Sequence, residues 1–192
     1  MNKKVLIFTG SRADYGLLKN LIIKTKSNKK IQCEILAGSA HYSKYYGLTF
    51  KEIERDDIQI NYSIKKNYDN LSRDKIVDYI SKTLPLFKKI IKKSNPNLVI
   101  VLGDRFETFA FTLAAFFLKI PIAHIHGGEV TSGAFDDNIR HSITKFSNFH
   151  FATHNIYKKR LIQLGESPKA VFLVGSPGVE NFRKIEKINK NK

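Results

Sequence analysis

"LVIVLGDRFETFAFTLAAFFLKIPIAHIHGGE", residues 98–129, is the stretch that decides the fold. It opens on an unbroken apolar run that halts at Gly103-Asp104-Arg105, and an almost wholly apolar segment follows to Leu118. Lys119 and Pro121 end that segment, and a second apolar run ends in His126, a glycine pair and Glu129. Strands buried on both faces read as continuous hydrophobic runs, whereas half-exposed strands alternate. The stretch therefore predicts a strand over 98–103, a helix over 105–118 buried on several sides, and a parallel strand over 122–126.

Working outward, the same alternation runs from end to end. Strands are expected at 4–9, 32–37, 58–63, 149–153 and 171–175, and helices at 15–27, 44–55, 73–93, 138–147 and 154–164. Leu17, Leu18, Leu21, Ile22 and Thr25 have the spacing of a one-faced amphipathic helix. Asn95-Pro96-Asn97 stops the long helix before the strand at 98. This is an α/β pattern: a Rossmann-like parallel sheet of about seven strands with helices on both faces. Residues 1–178 form one domain, and the Lys/Asn-rich 179–192 is expected to be a solvated tail or the start of a linker.

Composition narrows the partners. The 192 residues are 42% hydrophobic and 26% charged, an ordinary globular balance. The net charge of +16 raises nucleic acid as a partner. The lysines, however, are scattered pairs beside apolar residues at helical spacing, so they read as solvated helix faces and nucleic-acid binding is not expected. The same excess suits an anionic small substrate. Cys33 is a lone cysteine, read as a small core residue in a reducing compartment. The apolar start spans only Val5 to Phe8, too short for a signal peptide, and Lys119 and Pro121 interrupt the longest apolar stretch short of a membrane span. A cytoplasmic protein with no membrane partner is expected.

Most of the predicted strands are followed by a distinctive polar cluster: "GSRADYG" (10–16), "GSAH" (38–41), "GDRFE" (103–107), "GGEV" (127–130), "HN" (154–155) and "GSPG" (175–178). Ligands of open parallel sheets bind beyond the carboxyl ends of the strands, so these clusters mark one candidate site. Arg12 and Arg105 each stand near a helix start, where a guanidinium and helix amides together receive phosphate. Asp104, Glu129, Asp136 and Asp137 are acidic groups on the same edge, with His126 beside them. Arginines to hold an anion next to acid/base groups suggest proton transfer on a phosphorylated or nucleotide-linked substrate. Neither a Walker pattern nor G-x-G-x-x-G occurs.

His124 and His126, two apart on a strand, share one face, which suits a metal or an acid/base pair. His41, His150 and His154 have no ligand spacing to complete a metal set, so no metal and no cofactor are expected. His124, deeper in the strand, reads as a core histidine. His126, at the strand's last position, reads as functional.

Taken together, "TGSRADYGLL", "HYSKYYGLTFKEIERDD", "GDRFE", "HIHGGE" and "FDDNIRHSITK", in this order, resemble the hydrolysing UDP-N-acetylglucosamine 2-epimerases of sialic and legionaminic acid biosynthesis. The likeness runs to "GSPGVEN". It implies the amino-terminal half of a glycosyltransferase-B-like fold, with the carboxyl-terminal domain as a missing partner, and a homodimer. It also implies release of UDP from UDP-N-acetylglucosamine, or the same chemistry on a GDP-linked or diacetamido sugar, to give N-acetylmannosamine or its analogue without a metal or redox cofactor. By the same resemblance Asp104, His126, Glu129 and Asp136 are the catalytic candidates, and Arg12, Tyr15, Arg105 and Asp137 contact substrate. Many members have "HIEGGE" where this chain has His126, so the proton-transfer role lies with either His126 or Glu129. Asp136 or Asp137 could instead cap the helix that follows, with Arg140 and His141 supporting it.

Overall fold

The computed structural model describes residues 3–66, 72–131 and 135–184. Among these, seven parallel strands form one sheet in the order β3-β2-β1-β4-β5-β6-β7. They are β1 (Lys3–Thr9), β2 (Ile31–Ala37), β3 (Tyr62–Ser63), β4 (Leu98–Leu102), β5 (Ile122–Ile125), β6 (Phe149–Ala152) and β7 (Val171–Leu173). The helices are α1 (Arg12–Ser27), α2 (Phe50–Arg55), α3 (Arg73–Ser94), α4 (Phe106–Phe117), α5 (Asp136–Phe146), α6 (Asn155–Gln163) and α7 (Pro177–Lys184). The chain builds outward from β1 to β3 and then returns to β4 on the other side of β1. The junction of β1 and β4 is thus the switch point where such sheets open a crevice.

Both faces are covered, as a parallel sheet requires. Phe87 and Ile91 of α3, Phe111 of α4 and Ile143 of α5 pack with Leu6, Phe8 and Val99 on one face. Leu18 and Ile22 of α1 and Ile53 of α2 pack with Ile7, Ile35 and Ile125 on the other. The amphipathic reading of α1 therefore matches its burial. Asn95 ends α3 in a left-handed conformation (φ 49°), the cap geometry that asparagine tolerates. Asn97 then receives Lys4 N and donates its own amide to Lys4 O, which docks the start of β4 against β1.

Four expectations need correction. The helix expected at 44–55 is confined to Phe50–Arg55, since the chain first makes a 3₁₀ turn at Ser39–Tyr42 and passes Gly47 and Leu48 at positive φ. The strand expected at 58–63 shrinks to Tyr62–Ser63: Asp57 turns at φ 56°, and only these two residues register with Leu36 and Ala37. β5 stops at Ile125 because His126 adopts φ 67°, so His124 and His126 do not share a strand face. The domain limit at 178 falls inside α7, which packs on α1: Asn20 donates to Asn181 at 2.5 Å, and Asn181 donates to Gly16 O at 2.7 Å. The remainder of the expected tail, 185–192, lies outside the described residues. No described helix is long and apolar enough to cross a membrane.

Candidate active site

Each polar cluster is aimed by the way its strand ends. After β4, Gly103 turns at φ 79°, and its carbonyl accepts a hydrogen bond from His124 Nε2 at 2.8 Å. His124 is fully buried, its Nδ1 is 3.2 Å from the Thr144 hydroxyl, and burial pulls its pKa down to about 3. A neutral imidazole thus props the turn from which Asp104 projects, so His124 is a core residue. After β5, Gly128 (φ 77°) runs so close to α6 that a Cβ there would sit 2.6 Å from Tyr157 O. Arg160 of α6 donates to Gly128 O at 2.6 Å and fixes that loop.

Four predicted or neighbouring residues come together on this edge. Arg140, its side chain 6% exposed, donates through Nη2 to Asp104 and, at 3.0 Å, to the Thr131 hydroxyl; its Nη1 stands 3.6 Å from Glu129. Glu129 also pairs with His126 Nδ1 at 3.0 Å and accepts from the Thr153 hydroxyl at 2.7 Å. Burial by itself raises the Glu129 carboxyl. The bonds from His126 and Thr153 and the Arg140 charge outweigh it and hold the group below its ordinary range. His126 Nε2 is buried and has no hydrogen-bond partner among the described residues. Nδ1 is the ring nitrogen turned to the carboxylate. His126 and Glu129 line a cleft of about 1080 Å³ whose walls include the apolar side chains of Leu17, Leu21, Phe151 and Val179 and the polar ones of Asn20 and Thr153.

The other candidates are placed differently. Asp136 opens α5, half-buried and one turn before Arg140, so it shares that residue's face of the helix. One oxygen of Asp137 accepts from Thr131 N at 3.2 Å, and the other lies 3.6 Å from His141, so its carboxylate braces the β5–α5 loop. Neither aspartate caps α5, because Phe135 holds the cap position. Tyr15 is held inside the domain. It is 3% exposed and its hydroxyl donates to Asp56 at 2.5 Å, so it joins α1 to the end of α2 from within the core. Arg12 is on the same edge with its side chain 72% exposed, paired with Glu52 at 2.9 Å. Arg105 is held by Glu107 at 2.7 Å.

Arg140 and Glu107 carry more of the geometry than the sequence reading assigned them. Their signals were present: Arg140 follows Asp136 by one helical turn, and Glu107 follows Arg105 by two residues. Only the fold reveals that each is buried beside a rim residue. Among the described residues no three His, Cys, Asp or Glu side chains converge as a metal site.

A Rossmann-like parallel sheet with a carboxylate–arginine–histidine cluster at the strands' carboxyl ends, beside a cleft, defines an open doubly wound α/β domain. The family model described as UDP-N-acetylglucosamine 2-epimerase matches residues 23–192, and the chain belongs to that family. It is 38% identical over 188 residues to the GDP/UDP-N,N'-diacetylbacillosamine 2-epimerase (hydrolyzing) of Campylobacter jejuni, covering 98% of this chain and 49% of that protein. It is 40% identical to the polysialic acid biosynthesis protein P7 of Escherichia coli, covering 98% of this chain and 48% of that protein. The chain spans about half the length of the curated relatives it matches. Its fold matches the UDP-GlcNAc 2-epimerase of Neisseria meningitidis bound to UDP-GlcNAc with TM-score 0.83 at 22% identity, over 94% of this chain and 48% of that one. A lipopolysaccharide galactosyltransferase, WaaB, matches at TM-score 0.60 and 15% identity, over 90% of this chain and 45% of that one, which extends the fold likeness to glycosyltransferase-B-type half-domains.

Proposed function

We propose that this chain is the amino-terminal half of a hydrolysing nucleotide-sugar 2-epimerase. The observation that carries the reading is Arg140, which ties Asp104 to Glu129, and through Glu129 to His126, on the ligand edge of a domain belonging to this family. The reaction takes the C2 proton from a nucleotide-linked 2-acetamido sugar while the C1–oxygen bond breaks and the nucleoside diphosphate leaves with that electron pair. Water then adds its hydroxyl at C1 of the unsaturated intermediate, and a proton returns to C2 on the opposite face. The free sugar is the 2-epimer, N-acetylmannosamine when the substrate is UDP-N-acetylglucosamine. Such chemistry needs one group to accept a proton, another to donate one, and cations for the departing diphosphate. His126, steadied by Glu129, suits the proton exchange at C2. Asp104 and Asp136 are the carboxyl candidates for the other proton steps, and Arg12 and Arg105 for the diphosphate.

The substrate is UDP-N-acetylglucosamine, its GDP-linked analogue or, as the names of two relatives suggest, a nucleotide-linked diacetamido sugar. Joining the chain to the remaining half of the Escherichia coli relative and analysing products from UDP-GlcNAc, GDP-GlcNAc and UDP-diacetylbacillosamine decides between them. The 192 residues alone are expected to release no UDP, because half of the relatives' length is outside this chain. Turnover by the isolated chain would defeat the half-enzyme reading and favour a complete enzyme. Failure of the joined enzyme on all three substrates would favour a binding or assembly domain. Cytoplasmic location and a homodimer belong to the same proposal, which size-exclusion chromatography and cell fractionation test.

A further inference from the structure

Away from the Asp104–His126 group, one buried titratable side chain is bonded on both sides of its ring. His41 lies in the 3₁₀ turn after β2 and is 0% exposed. Its Nε2 is 3.0 Å from the Thr9 hydroxyl and its Nδ1 is 2.9 Å from the Thr49 hydroxyl. The Thr9 hydroxyl also donates to Ser11 O at 3.3 Å. A hydroxyl has one hydrogen, so Thr9, having given its own to Ser11, receives one from His41. Nε2 therefore carries the ring hydrogen, and Nδ1 accepts from Thr49. The bonds run one way, Thr49 to His41 to Thr9 to Ser11, each polarising the next. Burial lowers the His41 pKa to about 4, which keeps the ring neutral in this arrangement.

Thr49 stands at the N-cap of α2, a position where threonine ordinarily bonds a helix amide, yet its side chain makes no capping bond. Its hydroxyl is spent on His41 instead. At the other end, Thr9 closes β1, and Ser11 caps α1, whose first residue is Arg12. Glu52, which pairs with Arg12, sits in the first turn of α2. Both partners of that exposed pair are thus mounted on segments that His41 fastens together.

We propose that His41 is a positioning residue, a clasp between the β1–α1 turn and α2 that aims Arg12 at the diphosphate of a nucleotide-sugar. It rests on the reading above that Arg12 receives the diphosphate. In the enzyme joined to the Escherichia coli relative's remaining half, H41L should raise KM about 10-fold or more with kcat little changed, a loss of alignment and not of chemistry. H41Q, which can still donate and accept, should recover most of the affinity. In an R12A background H41L should add less than about twofold, since residues acting through one another are not additive. Full additivity of H41L and R12A, or H41Q no better than H41L, would overturn the clasp. Nitrogen NMR of His41 in the 192-residue chain decides separately from activity: the Nε2–H tautomer, untitrated from about pH 5.5 to 8, is expected, and the other tautomer or a titrating ring would refute the bonding scheme. A joined enzyme inert toward every nucleotide-sugar would instead strike down the proposed function, leaving the NMR to decide the clasp.

Discussion

His126 Nδ1 and Glu129 Oε1 are 3.0 Å apart, brought together because His126 leaves β5 in a left-handed conformation instead of continuing the strand. The turn puts one ring nitrogen on the carboxylate, and among the described residues Nε2 has no partner beside the cleft. A histidine in the strand would point along the sheet face with His124. A histidine at φ 67° serves the loop.

Glu129→Gln is expected to keep the fold and lower kcat of the joined enzyme by about 10²- to 10⁴-fold, the usual worth of an aligned acid/base group. The amide keeps the shape but not the charge that faces the His126 ring. Steady-state kinetics and C2 deuterium exchange check this, and wild-type exchange in the variant would remove Glu129 from the proton-transfer step. Its depressed carboxyl also gives a stability signature. A carboxyl held below its unfolded value stabilises the native state above that value, and the contribution fades as pH falls through the folded pKa. Glu129→Gln should therefore flatten the acid limb of a urea-unfolding profile.

Arg140→Met should cost about 3–5 kcal/mol of stability, because it leaves Asp104 and Glu129 without the cation that both share. Arg140→Lys should recover only part of it, since a single ammonium lacks the planar fork that meets Asp104 and Thr131 through one nitrogen and Glu129 through another. Urea denaturation of the 192-residue chain measures both. Loss below about 1 kcal/mol in the methionine variant would show the arginine to be peripheral.

The contrast between Asp104 and Arg140 shows what a sequence conveys. The α/β alternation, the parallel order and the polar strand ends were legible because apolar runs of strand length and amphipathic helices follow from burial alone. Asp104 and His126 were legible as rim residues because one directly follows a predicted strand and the other ends one. The partner that links them was not, since Arg140 lies 36 residues from Asp104 and its burial depends on how α5 settles beside β4 and β5. For Tyr15 and Asp137 the rim position was legible but the side-chain partners were not: Asp56 for one, Thr131 and His141 for the other, all set by the fold. The short β3 escaped because Ile58 is buried without pairing in the sheet, a contact that an apolar pattern cannot tell from a strand.

Two glycines should respond in opposite directions. Gly128→Ala would force a Cβ to 2.6 Å from Tyr157 O and 2.8 Å from Leu161 Cγ at φ 77°, and should destabilise by roughly 2 kcal/mol or more. Gly16→Ala in α1 meets nothing within 4 Å and should stabilise by about 0.5–1 kcal/mol. Thermal unfolding of the two variants checks the pair, and equal effects would contradict the packing of the β5–α5 loop on α6.

Asp14 supplies a prediction in pH. Its carboxyl accepts from Gly10 N at 3.1 Å and Ser11 N at 2.9 Å as the acidic member of the α1 capping box. Burial nevertheless pushes its pKa up to about 6; the Arg105 charge opposes this and Glu107 adds to it. A carboxyl raised above its unfolded value of 3.8 binds its proton more tightly in the native state than in the unfolded chain. Between those two values the folded form therefore holds more protons, and stability falls as pH rises. Above about 6 the penalty is complete, on the order of 3 kcal/mol at most. Asp14→Asn keeps an oxygen for the Gly10 and Ser11 amides and has nothing to titrate. Its stability should therefore stay level from about pH 4 to 7 where the parent's declines. Urea midpoints of the two proteins across that range test the claim, and parallel profiles would mean that Asp14 is ionised in the folded chain at every pH tested.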